Sequence, residues 1–308
     1  MTSVWSSVEL AVKWARFYNR LSMQQRPSVY SMLSSSPRTQ RLGGLNLGAG
    51  KSTAIWRNSF DRMHYERPDG HTFSLYLRGG ERTWRLDAGR AHGWPGALCL
   101  MPQGASSDWE INDTFEFVHL YVTDDELRRQ FSETLDRDAR LMTVPEATFD
   151  DAPRLAESLQ HLAAATQTGD VLRAEEAITA AIACLFSDPR YGGAQPVSLR
   201  GGLSPVVRRR LIDYIEARLE HAITLRELAG VAGLSEFHLQ RMFRQSCGVS
   251  PYGFILNRRI DRARRMLADG DPLAEIASAC GFSSQSHLTR MFKAVTGTTP
   301  SAYRRGVA

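Results

Sequence analysis

LRELAGVAGLSEFHLQRMFRQSCGVSPYGF (Leu225–Phe254) and LAEIASACGFSSQSHLTRMFKAVTGTTPSAY (Leu273–Tyr303) are two copies of one pattern. Glu227, Ala229 and Gly233 recur 48 residues later as Glu275, Ala277 and Gly281. Ser235, His238, Leu239, Phe243, Gly248 and Pro251 recur 49 residues later as Ser284, His287, Leu288, Phe292, Gly297 and Pro300. One residue inserted in the second turn accounts for the difference. A solenoid needs three or more repeats, so the pattern reads as two similar small helical units.

Each unit has the spacing of a helix-turn-helix. In the first, Leu225, Leu228 and Ala229 fall on one helical face, Gly233 suits a left-handed helix end, and Ser235 is placed to cap the next helix. Leu239, Met242 and Phe243 then point inward, which leaves Glu236, Phe237, His238, Gln240, Arg241 and Arg244 to the outside. In the second, Leu288, Met291 and Phe292 point inward. Ser284 is at the cap, and Gln285, Ser286, Thr289, Arg290 and Lys293 are outward. Gln can pair bidentately with adenine and Arg with guanine, and Phe237 is suited to a thymine methyl. A polar helix face is ordinarily just a solvated face. Two copies at fixed spacing, each with an outward Gln and Arg, favour nucleic acid. These twelve positions are the candidate DNA-binding residues.

Thr224 to Arg304 resembles the DNA-binding domain of the AraC/XylS family of bacterial transcription regulators. SPYGFILNRRIDRARRML (Ser250–Leu267) is similar to that family's linker helix, and IASACGFSSQSHLTRMFKAVTGTTPSAYR (Ile276–Arg304) resembles its signature. The resemblance implies that Phe237, Gln240 and Arg241 read bases in the first unit. Gln285, Ser286, Thr289 and Arg290 occupy the corresponding places in the second. Ser286 and Thr289 are short for that task. It also implies an activator of transcription in the cytoplasm. Its partners would be double-stranded operator DNA, a small-molecule effector, RNA polymerase and, in a homodimer, a second copy of the chain.

Charge agrees with that placement. The net charge of +5 conceals 16 Lys/Arg against 9 Asp/Glu from Leu203 onward, which is +7, and −2 for the rest. Basic residues thus concentrate where phosphates would be met. No run approaches the ~18 apolar residues of a membrane helix. The four cysteines are scattered without a C-x-x-C, which points to neither zinc nor disulfides.

Residues 1–36 read as a poorly ordered extension: Val8–Leu21 has helical periodicity and the remainder is rich in Ser and Arg. LGAGKST (Leu47–Thr53) superficially matches a phosphate-binding loop, which needs Gly, four residues, then Gly-Lys-Ser/Thr. The first required glycine is Leu45 here, no apolar strand precedes the motif, and no strong helix pattern follows.

From Leu45 to Val122 the chain alternates with period two. The strand candidates are STAIWRN, HTFSLYLRG, RTWRLD, ALCLMP, SDWEI and FEFVHLYV, broken by Gly, Pro, Asp and Asn. Short spacings predict antiparallel hairpins in a sandwich or barrel, and the region resembles the family's cupin-like effector and dimerisation domain. Trp56, Phe73, Tyr76, Trp84, Trp94, Trp109 and Tyr121 are candidates to line an apolar pocket, the alternative being plain core. His64, His71, His92 and His119 are isolated, with no H-x-H pair, so neither metal nor cofactor is expected.

Residues 124–188 turn helical, and Ile178, Ala181, Ile182, Leu185 and Phe186 form a wide apolar face for either a dimer contact or an intramolecular core. Pro189–Pro205, rich in Gly and Pro, reads as a linker. The expected organisation is therefore an α+β multidomain chain. Residues 37–188 form an antiparallel cupin-like β-barrel or sandwich with helices, 189–205 a linker, and 206–306 an all-α domain of two helix-turn-helix units joined by a linker helix. A DNA-binding regulator rather than an enzyme is expected. The rivals are a constitutive regulator whose barrel only dimerises, and a cupin-type enzyme or DNA-repair methyl acceptor carrying an accessory DNA module.

Overall fold

The computed structural model describes residues 27–89, 91–192 and 201–307. Two long strands organise the N-terminal half. Strand β2 (Lys51–Tyr65) runs antiparallel to β6 (Ser107–Val122), from Lys51 opposite Val122 to Tyr65 opposite Ser107, with one register shift between Ser59 and Asp61. The segments SDWEI and FEFVHLYV, expected as separate strands, are one continuous β6. Strand β1 (Thr39–Gly48) folds back on β2 through a turn in which Gly48, Ala49 and Gly50 are all left-handed, at φ 69°, 46° and 74°. LGAGKST is therefore a hairpin tip entering a strand. A strand does precede it, contrary to expectation, but the helix that a phosphate loop must feed is absent.

Strands β3 (His71–Arg78), β4 (Thr83–Arg85), β5 (Leu98–Met101) and β7 (Ala147–Asp150) complete a sheet of order β1-β2-β6-β3-β5-β7. β4 pairs with the first half of β6 and β3 with its second half, because no single short neighbour spans sixteen residues. Among the described residues no pairing joins β1 to β7, so where a barrel or sandwich was expected the sheet is open and folded over, not a closed barrel. β7, in a region read as helical, was hidden by its length of four residues.

The concave face buries Met63, Tyr65, Tyr76, Trp109, Phe115 and Phe117. Helix α1 (Val29–Ser35) covers one end of it. Ser28 caps α1 by accepting from the Ser31 amide at 3.2 Å, Val29 and Leu33 are buried, and the Tyr30 ring meets Trp56 and Tyr121 edge-on at 5.5 Å each. Residues 27–36 thus belong to the domain and not to a poorly ordered extension; residues 1–26 lie outside the described residues.

The other face carries helices α2 (Asp124–Leu135), α3 (Pro153–Thr168) and α4 (Val171–Ser187), with a 3₁₀ turn at Ala139–Leu141. Ile178, Ala181, Ile182, Leu185 and Phe186 of α4 are buried in one core with Phe73, Leu75, Leu98, Val118 and Leu120 of the sheet. That face is intramolecular core, which removes it as a dimer contact.

The C-terminal half is helical: α5 (Pro205–Glu216), α6 (Leu225–Ala232), α7 (Glu236–Cys247), α8 (Pro251–Ala268), α9 (Leu273–Ala279), α10 (Gln285–Thr296) and α11 (Pro300–Val307). It has two cores. Phe254 and Ile255 of α8 join the first, with Leu211, Ile215, Leu228, Leu239 and Phe243. Ile260, Ala263 and Leu267 of α8 join the second, with Ile276, Leu288 and Phe292. Helix α8, about 27 Å long at 1.5 Å per residue, is the strut between them.

Candidate nucleic-acid interface

The first reading surface is built on caps. Thr224 Oγ1 accepts from the Glu227 amide at 3.2 Å while Glu227 Oε2 accepts from the Thr224 amide at 2.7 Å, a reciprocal pair that starts α6. Gly233, at φ 64°, ends α6 and turns the chain. Ser235 Oγ then accepts from the His238 amide at 3.3 Å and starts α7. Leu239 and Phe243 anchor α7 in its core, so the opposite side faces outward.

Glu236, Phe237, His238, Gln240, Arg241 and Arg244 are all exposed, as expected, with Phe237 at 74%. Gln240 and Arg241 have no side-chain partner among the described residues. Glu236 faces Arg226 at 3.7 Å, and Arg244, at the far end of α7, is ion-paired with Asp125 of α2 at 2.8 Å.

The second unit repeats the cap of the longer helix, whereas its short helix α9 starts after Pro272 without a side-chain cap. Ser284 Oγ accepts from the His287 amide at 3.1 Å and starts α10; Leu288 and Phe292 are fully buried. Gln285, Ser286, Arg290 and Lys293 are exposed. Thr289 is half-buried, so the second surface is narrower than expected. His287 also departs from its counterpart His238. It is half-buried, its Nδ1 lies 3.0 Å from Ser283 Oγ, and its ring meets Phe282 edge-on at 5.4 Å. Burial lowers its pKa, helped by the charges of Arg290 and Arg259.

In the N-terminal domain the concave face encloses a cavity of about 30 Å³, lined by residues that include Asn58, Ser74, Tyr76, Cys99, Trp109 and His119. Of the candidate pocket residues, Tyr76 and Trp109 line it. Phe73 does not: it points to the opposite face, into the core with α3 and α4. Trp56 and Tyr121 are core beneath α1, Trp84 is half-buried against His92 with ring centroids 5.3 Å apart, and Trp94 is at the surface.

His119, isolated in the sequence, lines the cavity wall. Trp56 Nε1 donates to Tyr121 Oη at 2.9 Å, and that hydroxyl lies 2.9 Å from His119 Nδ1. Burial keeps the imidazole neutral by pushing its pKa down to about 3. Beside the cavity, buried Arg85 is held by Asp87 at 2.9 Å, by Glu146 and by Thr148, with its guanidinium 5.6 Å over the Trp109 ring. No cluster of three or more potential metal ligands occurs among the described residues.

A helical domain in which a short helix, a turn and a capped longer helix occur twice, each longer helix exposing a polar face, defines the class: a regulator with a helix-turn-helix-type C-terminal domain. The helix-turn-helix domain family matches residues 228–306. The multiple antibiotic resistance protein MarA of Escherichia coli is 35% identical over 95 residues, covering 30% of this chain and 75% of MarA. The probable transcriptional regulator LumQ of Photobacterium leiognathi is 36% identical over 96 residues, and the match spans 30% of this chain and 39% of LumQ. The DNA-binding domain of AdpA, solved with a target DNA, is 29% identical with a TM-score of 0.30, over 32% of this chain and 89% of that one. The chain belongs to the AraC/XylS family of transcription regulators.

Proposed function

We propose that the protein is a sequence-specific transcription regulator that reads operator DNA with α7 and α10. Phe237, Gln240 and Arg241 contact base edges in one major groove, and Gln285, Ser286 and Arg290 enter the next, about one helical turn or 34 Å away. Arg244, Lys293 and the capped helix N-termini meet phosphates and set register. The observation that carries this reading is the pair of capped helices, 49 residues apart, whose N-terminal ends expose Gln and Arg side chains. Fluorescence anisotropy against a panel of single-base duplex variants tests it: Arg241→Ala should flatten preference at one position, whereas uniform weakening at every sequence would reduce Arg241 to a phosphate contact.

The family habit makes the protein a cytoplasmic activator that contacts RNA polymerase, works as a homodimer and answers to a small molecule held by the N-terminal sheet. A second reading is favoured by the size of the cavity. About 30 Å³ leaves room for about one or two waters, against roughly 300–1,000 Å³ for small-molecule sites. On that reading the regulator is constitutive and the sheet domain serves assembly. Thermal shift against metabolite libraries separates the two: a stabilising ligand requires the concave face to open, and its absence across the libraries favours the constitutive form.

A further inference from the structure

Gly248 and Gly297 end the two long helices of the repeat, both left-handed, at φ 79° and 76°. A helix end of this type favours glycine by itself. Both glycines also lie against the N-terminal domain. A Cβ on Gly248 would sit 2.9 Å from the Arg129 amide nitrogen and 3.0 Å from Arg128 Cβ, on α2. A Cβ on Gly297 would sit 2.6 Å from the Asn46 carbonyl oxygen, and one on Gly48 would sit 2.0 Å from that of Val295. Equivalent points of the two units are thus seated on two different elements, α2 and the β1–β2 hairpin.

Polar contacts back each joint. At the first, Ser132 Oγ donates to the Ser246 carbonyl at 3.3 Å. Buried Arg208 donates to Asp136 Oδ1 at 2.8 Å, and Arg209 to Asp136 Oδ2 at 2.7 Å. At the second, Arg264 of α8 pairs at 2.6 Å with Glu175, a buried residue of α4. The reading ends of α7 and α10 stay exposed, so the N-terminal domain grips the far ends and meets the candidate DNA-binding face at Arg244, which pairs with Asp125. The two cores of the C-terminal domain share no residue, and α8 is the strut between them. A second, two-point link removes bending and twisting freedom that a single helix would leave. Such preorganisation raises the effective concentration of the second reading event.

We infer that the N-terminal domain positions the DNA-reading helices: by seating Gly248 and Gly297, α2 and the β1–β2 hairpin fix the separation and twist of α7 and α10. The inference rests on the DNA-binding reading above. Asp136, Arg208, Glu175 and Arg264 are positioning residues.

The test uses the full chain and a duplex that the wild type selects from a random-sequence library. Asp136→Asn, Glu175→Gln and the double variant are compared on that duplex, on duplexes with one base pair added or removed between the contacted segments, and on half duplexes. Asn tolerates the left-handed backbone of position 136, where φ is 50°. The wild type is expected to lose about tenfold on a one-base-pair spacer change and the double variant less than about threefold, with half-duplex affinities equal within about twofold. Variants that discriminate spacers as sharply as the wild type would leave α8 as sole determinant and overturn the inference. So would equal losses on half and full duplexes at wild-type thermal stability. A wild-type chain that selects no duplex sinks the DNA-binding reading itself, a result distinguishable from either.

Discussion

Phe243 and Phe292, 49 positions apart in the sequence, are both fully buried, each in a different core at the same point of its helix. Phe243 meets Phe254 edge-on at 5.6 Å and Phe292 meets Tyr303 edge-on at 5.4 Å. The aromatic partner comes from α8 in one unit and from α11 in the other. Phe254 and Tyr303 are themselves 49 positions apart, so the repeat carries the same aromatic pair into both cores.

Truncation at either site follows from this. Phe243→Ala and Phe292→Ala should each cost about 3–5 kcal/mol, the usual range for emptying an aromatic core position. Urea unfolding of the full chain measures it. Because the cores are separate, the two losses should add to within about 0.5 kcal/mol.

Arg241→Ala should weaken specific binding by roughly 1–3 kcal/mol and relax one base position, whereas Lys293→Ala should weaken all sequences alike and reduce the salt slope by about one. Anisotropy titrations from low to moderate salt resolve the two, since each phosphate neutralised contributes about −0.9 to the slope of log K against log salt.

His119 sets an acid-side dependence of stability. Its pKa is pushed down by burial to about 3, below the unfolded value of 6.5. Between those values the unfolded state carries a proton that the folded state refuses, so stability falls as pH drops from 6.5 toward 3. The slope approaches about 1.4 kcal/mol per pH unit from this group. His119→Gln should remove that component. Unfolding free energies at pH 7 and pH 4.5 should therefore converge in the variant relative to the wild type.

The two faces of β3 predict opposite consequences. Phe73→Ala opens the core beneath α3 and α4 and should cost about 3–5 kcal/mol. Ser74→Leu points into the concave cavity. It should abolish the thermal shift from any ligand bound there, and stability in the absence of ligand should change by about 1–3 kcal/mol through overpacking. A ligand shift that survives Ser74→Leu would place the effector elsewhere.

Helix starts, turns and outward faces of the C-terminal domain were legible because each is a local matter. Ser235 and Ser284 cap the helix that follows them, Gly233 turns the chain within two residues of it, and the 3.6-residue period alone assigns Leu239 and Phe243 inward and Gln240 and Arg241 outward. Thr289 marks the limit, since its partial burial depends on neighbours the period does not see.

In the sheet domain the same kind of reading found the strands and lost the faces. Alternation says that a strand has two sides. In β3 both are buried, one by helices and one by the folded-over sheet, so nothing in HTFSLYLRG separates Phe73 from Tyr76. The opening of the sheet, the burial of the α4 face, the seating of α1 on Trp56 and Tyr121 and the paired joints at Gly248 and Gly297 all join residues far apart in the chain. Capping and periodicity are fixed by neighbours within about four residues and can be read along a sequence. Which surfaces meet depends on long-range packing, and only the tertiary structure decided that.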